Sequence, residues 1–206
     1  MRAGNLSVYI VDDDASVRDS LALMLGLGGY RTVAFADAES LLAAWHPDWI
    51  GCVVTDLRLP GMSGIELQGE LRRRGSGVPV VVITAHGDVP SARAAFRAQA
   101  VDFLEKPFDH VQLRQAIDTA FALEQSRLQD DEARRADAAK LDRLTPRERQ
   151  VLERAAQGLH AKEIAAALGI SPRTVEVHKT RIMEKLGVRN IAELVRFALA
   201  AGRDPG

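Results

Sequence analysis

Three carboxylates, one hydroxyl and one amine are spaced so that a single fold could bring them together. Asp12 and Asp13 directly follow the apolar run YIV, and Asp56 directly follows VVT. Thr84 ends the run VVIT, and Lys106 follows DFLE. Two carboxylates about 4 Å apart repel by about 4 kcal/mol at an effective dielectric of 20. Such a cluster must therefore hold a cation or keep a proton. Oxygen-only ligands with room for water favour Mg²⁺ over zinc or copper. With an ammonium and a hydroxyl beside them, the set suits phosphoryl transfer. Asp56 would attack phosphorus, Mg²⁺ and Lys106 would neutralise the oxygens, and Thr84 would hydrogen-bond one of them. Any one aspartate at a turn is most simply a solvated residue; the weight lies in five residues of three types at four matching strand ends.

The elements that must position these groups are legible from periodicity. Residues 7–11, 31–35, 51–55, 80–84 and 102–105 are short runs, mostly rich in β-branched residues, and read as strands. Between them, 16–27, 38–44, 64–73 and 90–98 carry Leu, Ala, Arg and Glu at helical spacing. Gly28, Gly29, Pro60 and Gly61 mark turns, as does the Gly-Ser-Gly at 75–77. This alternation predicts an α/β domain, a doubly wound five-stranded parallel sheet covered on both faces. Ligands of such sheets bind beyond the carboxyl ends of the strands, where all five residues fall. Pro107 would hold the turn after Lys106, and a cis bond is compatible with that position.

Neither proline nor glycine occurs between Phe108 and Thr145. Leu113, Ile117, Phe121 and Leu128 form an apolar stripe that grows patchy as the chain becomes mixed in charge. One long helix is expected, packed on the sheet up to Phe121 and running on as a linker, solvated or partly dimerising. From Leu144 the pattern is all-α, with four short helices punctuated by Gly158, Gly169 and Gly187. Thr145, Pro146 and Glu148 supply an N-cap, a proline at the first helical position and an acid in the first turn. The domain boundaries are set at 1–121, 122–143 and 144–206.

Charge divides the same way. Residues 1–123 hold 11 Lys/Arg against 15 Asp/Glu, whereas 144–206 hold 11 against 7, although the whole chain carries only −1. A basic carboxyl-terminal part points to nucleic acid, with chance variation between two domains as the plain alternative. One cysteine, Cys52, excludes an internal disulfide and suits a reducing cytosol. The amino terminus lacks the apolar run of a signal peptide. No stretch approaches the roughly 18 apolar residues of a membrane span. A cytoplasmic location is expected.

Within 161–186 the pattern is helix, turn, helix: Ile164, Ala165 and Leu168 pack, Gly169 and Ile170 turn, and Ser171-Pro172 caps the second helix. Steps of 100° place Val175, His178, Ile182 and Leu186 on its core face. The opposite face carries Arg173, Val177, Thr180, Arg181 and Glu184, with Lys179 on the flank. An exposed valine among Thr, Arg and Lys suits a DNA major groove, where a methyl meets thymine and charges reach phosphates or guanine. A plain three-helix interaction module is the alternative. No partner at ligand spacing makes His178 a metal ligand.

The segments IVDDD, TDLRLPGMSG, VVITAHGD and VDFLEKPF resemble the motifs of bacterial receiver domains over residues 7–121, especially the FixJ-type branch of response regulators. The resemblance implies Asp56 as phosphoacceptor, with Asp13 a direct Mg²⁺ ligand, Asp12 acting through water and the backbone carbonyl of Arg58 as a further ligand. It also implies Thr84 and Phe103 as a switch pair and Lys106 as a phosphate contact, although an aromatic in the last strand is most simply core. Arg58 and His86, two residues beyond Asp56 and Thr84, are placed by spacing to border the phosphate. Residues 144–200, through LTPRER, GLHAKEIAAALGIS and TVEVHKTRIMEKLGV, resemble the LuxR/NarL-type helix-turn-helix. That implies Glu176, Val177 and Thr180 towards bases, Lys162, Arg173, Lys179 and Arg181 towards phosphates, and a dimer face on 191–199. Glu176 departs from the basic residue often found there; an acid repels phosphate but accepts from cytosine. The linker is similar to that of the styrene-catabolism branch.

The resulting expectation is a DNA-binding transcriptional activator rather than an enzyme. Its partners would be a sensor histidine kinase, promoter DNA, RNA polymerase and, once phosphorylated, a second copy of itself. Two rivals stand beside it: a Mg²⁺-dependent phosphohydrolase using Asp56 as transient nucleophile, and a phosphorelay adaptor without DNA binding. The hydrolase reading leaves 144–200 without a purpose and lacks a second acid two residues after Asp56.

Overall fold

β-Branched residues build a sheet whose inner strands are mostly apolar, as strands buried on both faces must be, with polar residues at their ends. The computed structural model describes residues 6–201 apart from His86 and Asp88. Its first half alternates β1 (Ser7–Val11), α1 (Ala15–Leu27), β2 (Arg31–Phe35), α2 (Ala38–Ala44), β3 (Gly51–Asp56), α3 (Gly64–Arg73), β4 (Val80–Thr84), α4 (Val89–Arg97) and β5 (Asp102–Glu105). All pairings are parallel and the order is β2-β1-β3-β4-β5. Every residue of β3 and β4 is buried, whereas edge strand β2 is largely exposed.

Alternate side chains serve opposite faces. Tyr9, Val11, Val53, Val80 and Val82 pack with Leu41 of α2, Leu67 and Leu71 of α3 and Ala95 of α4. Val8, Ile10, Cys52, Val54, Val81 and Ile83 pack with Leu21 and Leu25 of α1 and with Leu113, Ala116, Ile117 and Ala120 further along the chain. The doubly wound arrangement expected from the alternation is thus present, with boundaries moved by a residue: β3 reaches Asp56 itself, and α4 begins at Val89.

Helix α5 (His110–Asp142) is one continuous helix, as the absence of glycine and proline permits. The chain divides into two compact units, one through Leu128 and one from Gln129. The first compact unit thus includes the opening turns of the stretch expected as linker. The physical reason is Glu124, which is fully buried and held by Arg127, whose Nε and Nη2 each donate at 2.8 Å. Arg127 in turn lies against Gly77, where a Cβ would come within 2.9 Å of its Cδ.

The second unit adds α6 (Pro146–Ala156), α7 (Ala161–Leu168), α8 (Pro172–Leu186) and α9 (Ile191–Ala201). Val151, Leu152, Ile164, Val175, Ile182 and Leu194 form its buried centre. Helix α6 opens with a full capping box, Thr145 and Glu148 exchanging side-chain and backbone hydrogen bonds. Between α7 and α8 the chain turns at Gly169, whose left-handed φ of 65° a side chain would disfavour. Ser171 caps α8 by accepting from the Thr174 N–H at 3.1 Å.

Candidate functional site

In this strand order the connections reverse direction between β1 and β3, and ligands of such sheets bind at the carboxyl ends beside that reversal. Asp12 follows β1 and Asp56 ends β3, and both are buried. Lys106, after β5, reaches both: its Nζ lies 2.8 Å from Asp12 Oδ2 and 2.7 Å from Asp56 Oδ2. Burial alone would disfavour the ammonium, but the hydrogen bonds it donates to Asp12 and Asp56 outweigh that and raise the Lys106 pKa above the ordinary lysine value. The peptide bond between Lys106 and Pro107 is cis.

The acidic run after β1 is divided in use. Asp14 caps α1, accepting from Ser16 N at 2.8 Å, and its own N–H donates to Asp12 Oδ1 at 3.0 Å. Asp13 is exposed at the rim. Arg18, which the sequence did not single out, donates from Nη1 to the Asp12 carbonyl at 2.6 Å and so braces the turn that carries the acids. On the other side the Arg58 N–H donates to Asp56 Oδ1 at 2.8 Å. Helix α3 starts close enough that a Cβ on Gly64 would lie 2.3 Å from the Asp56 carbonyl oxygen, so only glycine fits there. Two further carboxylates brace loops beside the site: Glu39 accepts from Met62 N at 3.1 Å, and Glu105 from Gly87 N at 3.2 Å.

Thr84 is buried at the end of β4, and its carbonyl accepts from Lys106 N at 2.7 Å. Phe103 is half-buried and packs against the layer covered by α2 and α3. His86 lies outside the described residues. Asp12, Asp56 and Lys106 are thus brought into direct contact, Thr84 is tied to the Lys106 backbone, and Asp13 stands at the edge.

The donor set is hard oxygen, and Asp12, Asp56 and Lys106 together carry one net negative charge. Among the described residues, no three acidic, His or Cys side chains gather closely enough to hold a metal by themselves. Mg²⁺ needs no such cage, because it keeps several waters and takes one or two carboxylates together with phosphate oxygens. These residues fit it.

In the second unit, α8 presents Arg173, Glu176, Val177, Thr180 and Arg181 to solvent, and Lys162 of α7 is also exposed. Val177 is 44% exposed. Val175, Ile182 and Leu186 are buried as the helical steps require, and His178 is half-buried with an enclosed Nδ1 that has no hydrogen-bond partner among the described residues. Lys179 departs from the rest. Only 13% of its side chain is exposed, and its Nζ is paired with Glu176 Oε1 at 3.0 Å.

Residues 8–118 match the family model described as response regulator receiver domain, and 142–198 match that of bacterial regulatory proteins of the luxR family. The transcriptional regulatory protein FixJ of Azorhizobium caulinodans is 44% identical, covering 98% of this chain and 95% of that protein. FixJ of Rhizobium meliloti is 45% identical, covering 97% and 98%. Among solved structures, the response regulator StyR superposes with a TM-score of 0.79 at 42% identity, covering 95% of this chain and 99% of that one. Relatives over nearly the full length are transcriptional regulators, which leaves the phosphohydrolase reading without support. Among the described residues, no helix is long and apolar enough to cross a membrane. Receiver and luxR-family halves in one chain imply a sensor kinase upstream and promoter DNA downstream, and the chain belongs to the FixJ-like response regulators, transcriptional regulators of two-component systems.

Proposed function

We propose that Asp56 is the phosphoacceptor and that its phosphorylation controls DNA binding by α8. The observation that carries this reading is the Lys106 ammonium held between Asp12 and Asp56 at the carboxyl edge of the sheet. An Asp56 carboxylate oxygen attacks the phosphorus of a phosphohistidine on the sensor kinase. The P–O bond forms as the P–N bond breaks, and the imidazole leaves. Asp13, Asp56 and the Arg58 carbonyl, with Asp12 through water, would hold Mg²⁺, which would supply positive charge to the phosphoryl oxygens. Lys106 moves from the carboxylates to a phosphoryl oxygen, and the Thr84 hydroxyl donates to another.

Phosphorylation replaces a singly charged carboxylate with a phosphoryl group of about two negative charges, a gain of about one. Drawing Thr84 towards the phosphate makes room for Phe103 to turn inward, a shift between two packings. The surface of α4 and β5 changes with it and favours a homodimer. Receiver residues 1–121, linker 122–143 and DNA-binding residues 144–206 then act as a cytoplasmic activator that presents two copies of α8 to a two-part site and engages RNA polymerase. At the DNA, Glu176, Val177 and Thr180 face base edges, while Lys162, Arg173, Lys179 and Arg181 serve phosphates.

Treatment of the full chain with acetyl phosphate and Mg²⁺ tests this reading. Mass spectrometry is expected to find one added phosphate, and sedimentation and promoter-DNA titration to find dimerisation and tighter binding. A phosphorylated chain with unchanged DNA affinity would favour an adaptor instead.

Removing the bridging ammonium gives a second test. A unit charge beside the carboxylates opposes a divalent cation by up to about 8 kcal/mol at 4 Å and an effective dielectric of 20, far less after screening by solvent. Lys106→Met is therefore expected to bind Mg²⁺ roughly tenfold more tightly by calorimetric titration while losing phosphorylation rate. Unchanged Mg²⁺ affinity would separate the metal from Asp12 and Asp56.

A further inference from the structure

We infer that Glu176 withholds Lys179 from DNA, so that the pair couples a phosphate contact to the identity of a base. This rests on the reading of α8 as the helix that enters the groove. Lys179 sits between Arg173 and Arg181 in sequence, yet it alone of the three is mostly covered and ion-paired. Glu176 is its opposite, with 60% of its side chain exposed. The Thr180 hydroxyl donates to the Glu176 carbonyl at 3.1 Å, so Glu176, Lys179 and Thr180 form one local unit on the exposed turn.

A pair three residues apart on a helix surface is weak in water, so a DNA phosphate competes for Lys179. Releasing Lys179 leaves Glu176 needing a new donor near a polyanion. An exocyclic amino group, that of cytosine above all, supplies one; a guanine or thymine oxygen does not. Opposite a suitable base, Glu176 turns to the amino group and Lys179 to the backbone, and both are satisfied. Opposite other bases Glu176 keeps Lys179 and adds its own repulsion. The pair thus lowers sequence-independent affinity and converts the loss into discrimination.

The test uses the full chain, treated with acetyl phosphate and Mg²⁺, as wild type, Glu176→Gln, Lys179→Met and the double variant. Each is titrated against a mixed-sequence DNA duplex over a range of salt and used to select from a duplex pool with a randomised core. Glu176→Gln is expected to bind the mixed duplex several-fold to about thirtyfold more tightly at low salt. Its log–log salt slope is expected to steepen by about one, as when one more phosphate is neutralised by the protein. Its selected sites are expected to lose preference at one position, whereas Lys179→Met retains that preference. In the double variant the benefit of Glu176→Gln is expected to shrink, because the residue it releases is gone. An equal benefit with Lys179 absent would reduce the effect to simple charge removal and overturn the coupling, as would an unchanged slope. Wild type selecting sites normally in those cases would leave the reading of α8 intact; wild type binding neither duplex nor pool would overturn both.

Discussion

Asp56→Asn is expected to abolish phosphorylation by acetyl phosphate entirely, with mass spectrometry showing no adduct where wild type takes one. The amide lacks the charged oxygen that attacks phosphorus, and no other described carboxylate shares its position. Asp12 is buried under the same ammonium, and Asp13 stands at the rim. The fold is expected to survive. The Asn carbonyl oxygen can still accept from Arg58 N, as Asp56 Oδ1 does at 2.8 Å, and Lys106 keeps its bond to Asp12. Thermal unfolding should therefore move little while dimerisation and promoter binding cease to respond to the phosphodonor. A phosphate that persists in Asp56→Asn would move the acceptor elsewhere in the chain.

Glu148→Ala is expected to cause the largest loss of stability. Glu148 is buried at the start of α6, with Oε2 accepting from Thr145 N at 2.8 Å and from Lys185 Nζ at 2.6 Å. Burial alone would push its carboxyl up. The Lys185 ammonium and the Thr145 backbone and hydroxyl outweigh that and hold it down at about 2. Alanine would strip α6 of half its capping box and leave Lys185 unpaired, a loss of about 3 kcal/mol. For a domain of this size that lowers the melting transition by roughly 10 °C or more. The pH dependence has a definite sign. A carboxyl depressed on folding stabilises fully above its unfolded value of about 4.3 and loses that contribution as pH falls through about 2. Acid unfolding of the second unit should thus be gentler in Glu148→Ala. A change below about 0.5 kcal/mol would class the bridge with ordinary surface pairs.

The sheet was legible because β-branched runs and glycine or proline turns repeat at short intervals, and the strand ends then placed Asp12, Asp56, Thr84 and Lys106 at one edge. Contacts that depend on a particular side-chain path were not. Arg18 reaches back six residues to the Asp12 carbonyl, with no periodicity to announce it. Gly64 reads as an ordinary helix start until the Asp56 carbonyl is seen beside it. Glu124 lies in a mixed-charge stretch that looks solvated, and its burial shows only once Arg127 folds over it. Lys179 occupies a flank by helical steps, but its withdrawal is a matter of rotamer and partner. Except at Gly64, charged groups in these cases sit where hydropathy patterns carry no information about pairing.

Cys52 is the sole thiol of the chain and lies wholly buried in the layer that α1 and α5 cover. Burial first, and then the nearby Glu124 charge, push its pKa up, so the unopened protein offers a labelling reagent neither access nor thiolate. Modification must wait for the helix to lift, and its rate measures the free energy of that excursion. The molecule thereby carries its own gauge of how firmly α5 is moored, readable in the full chain with and without a phosphodonor and without adding a probe.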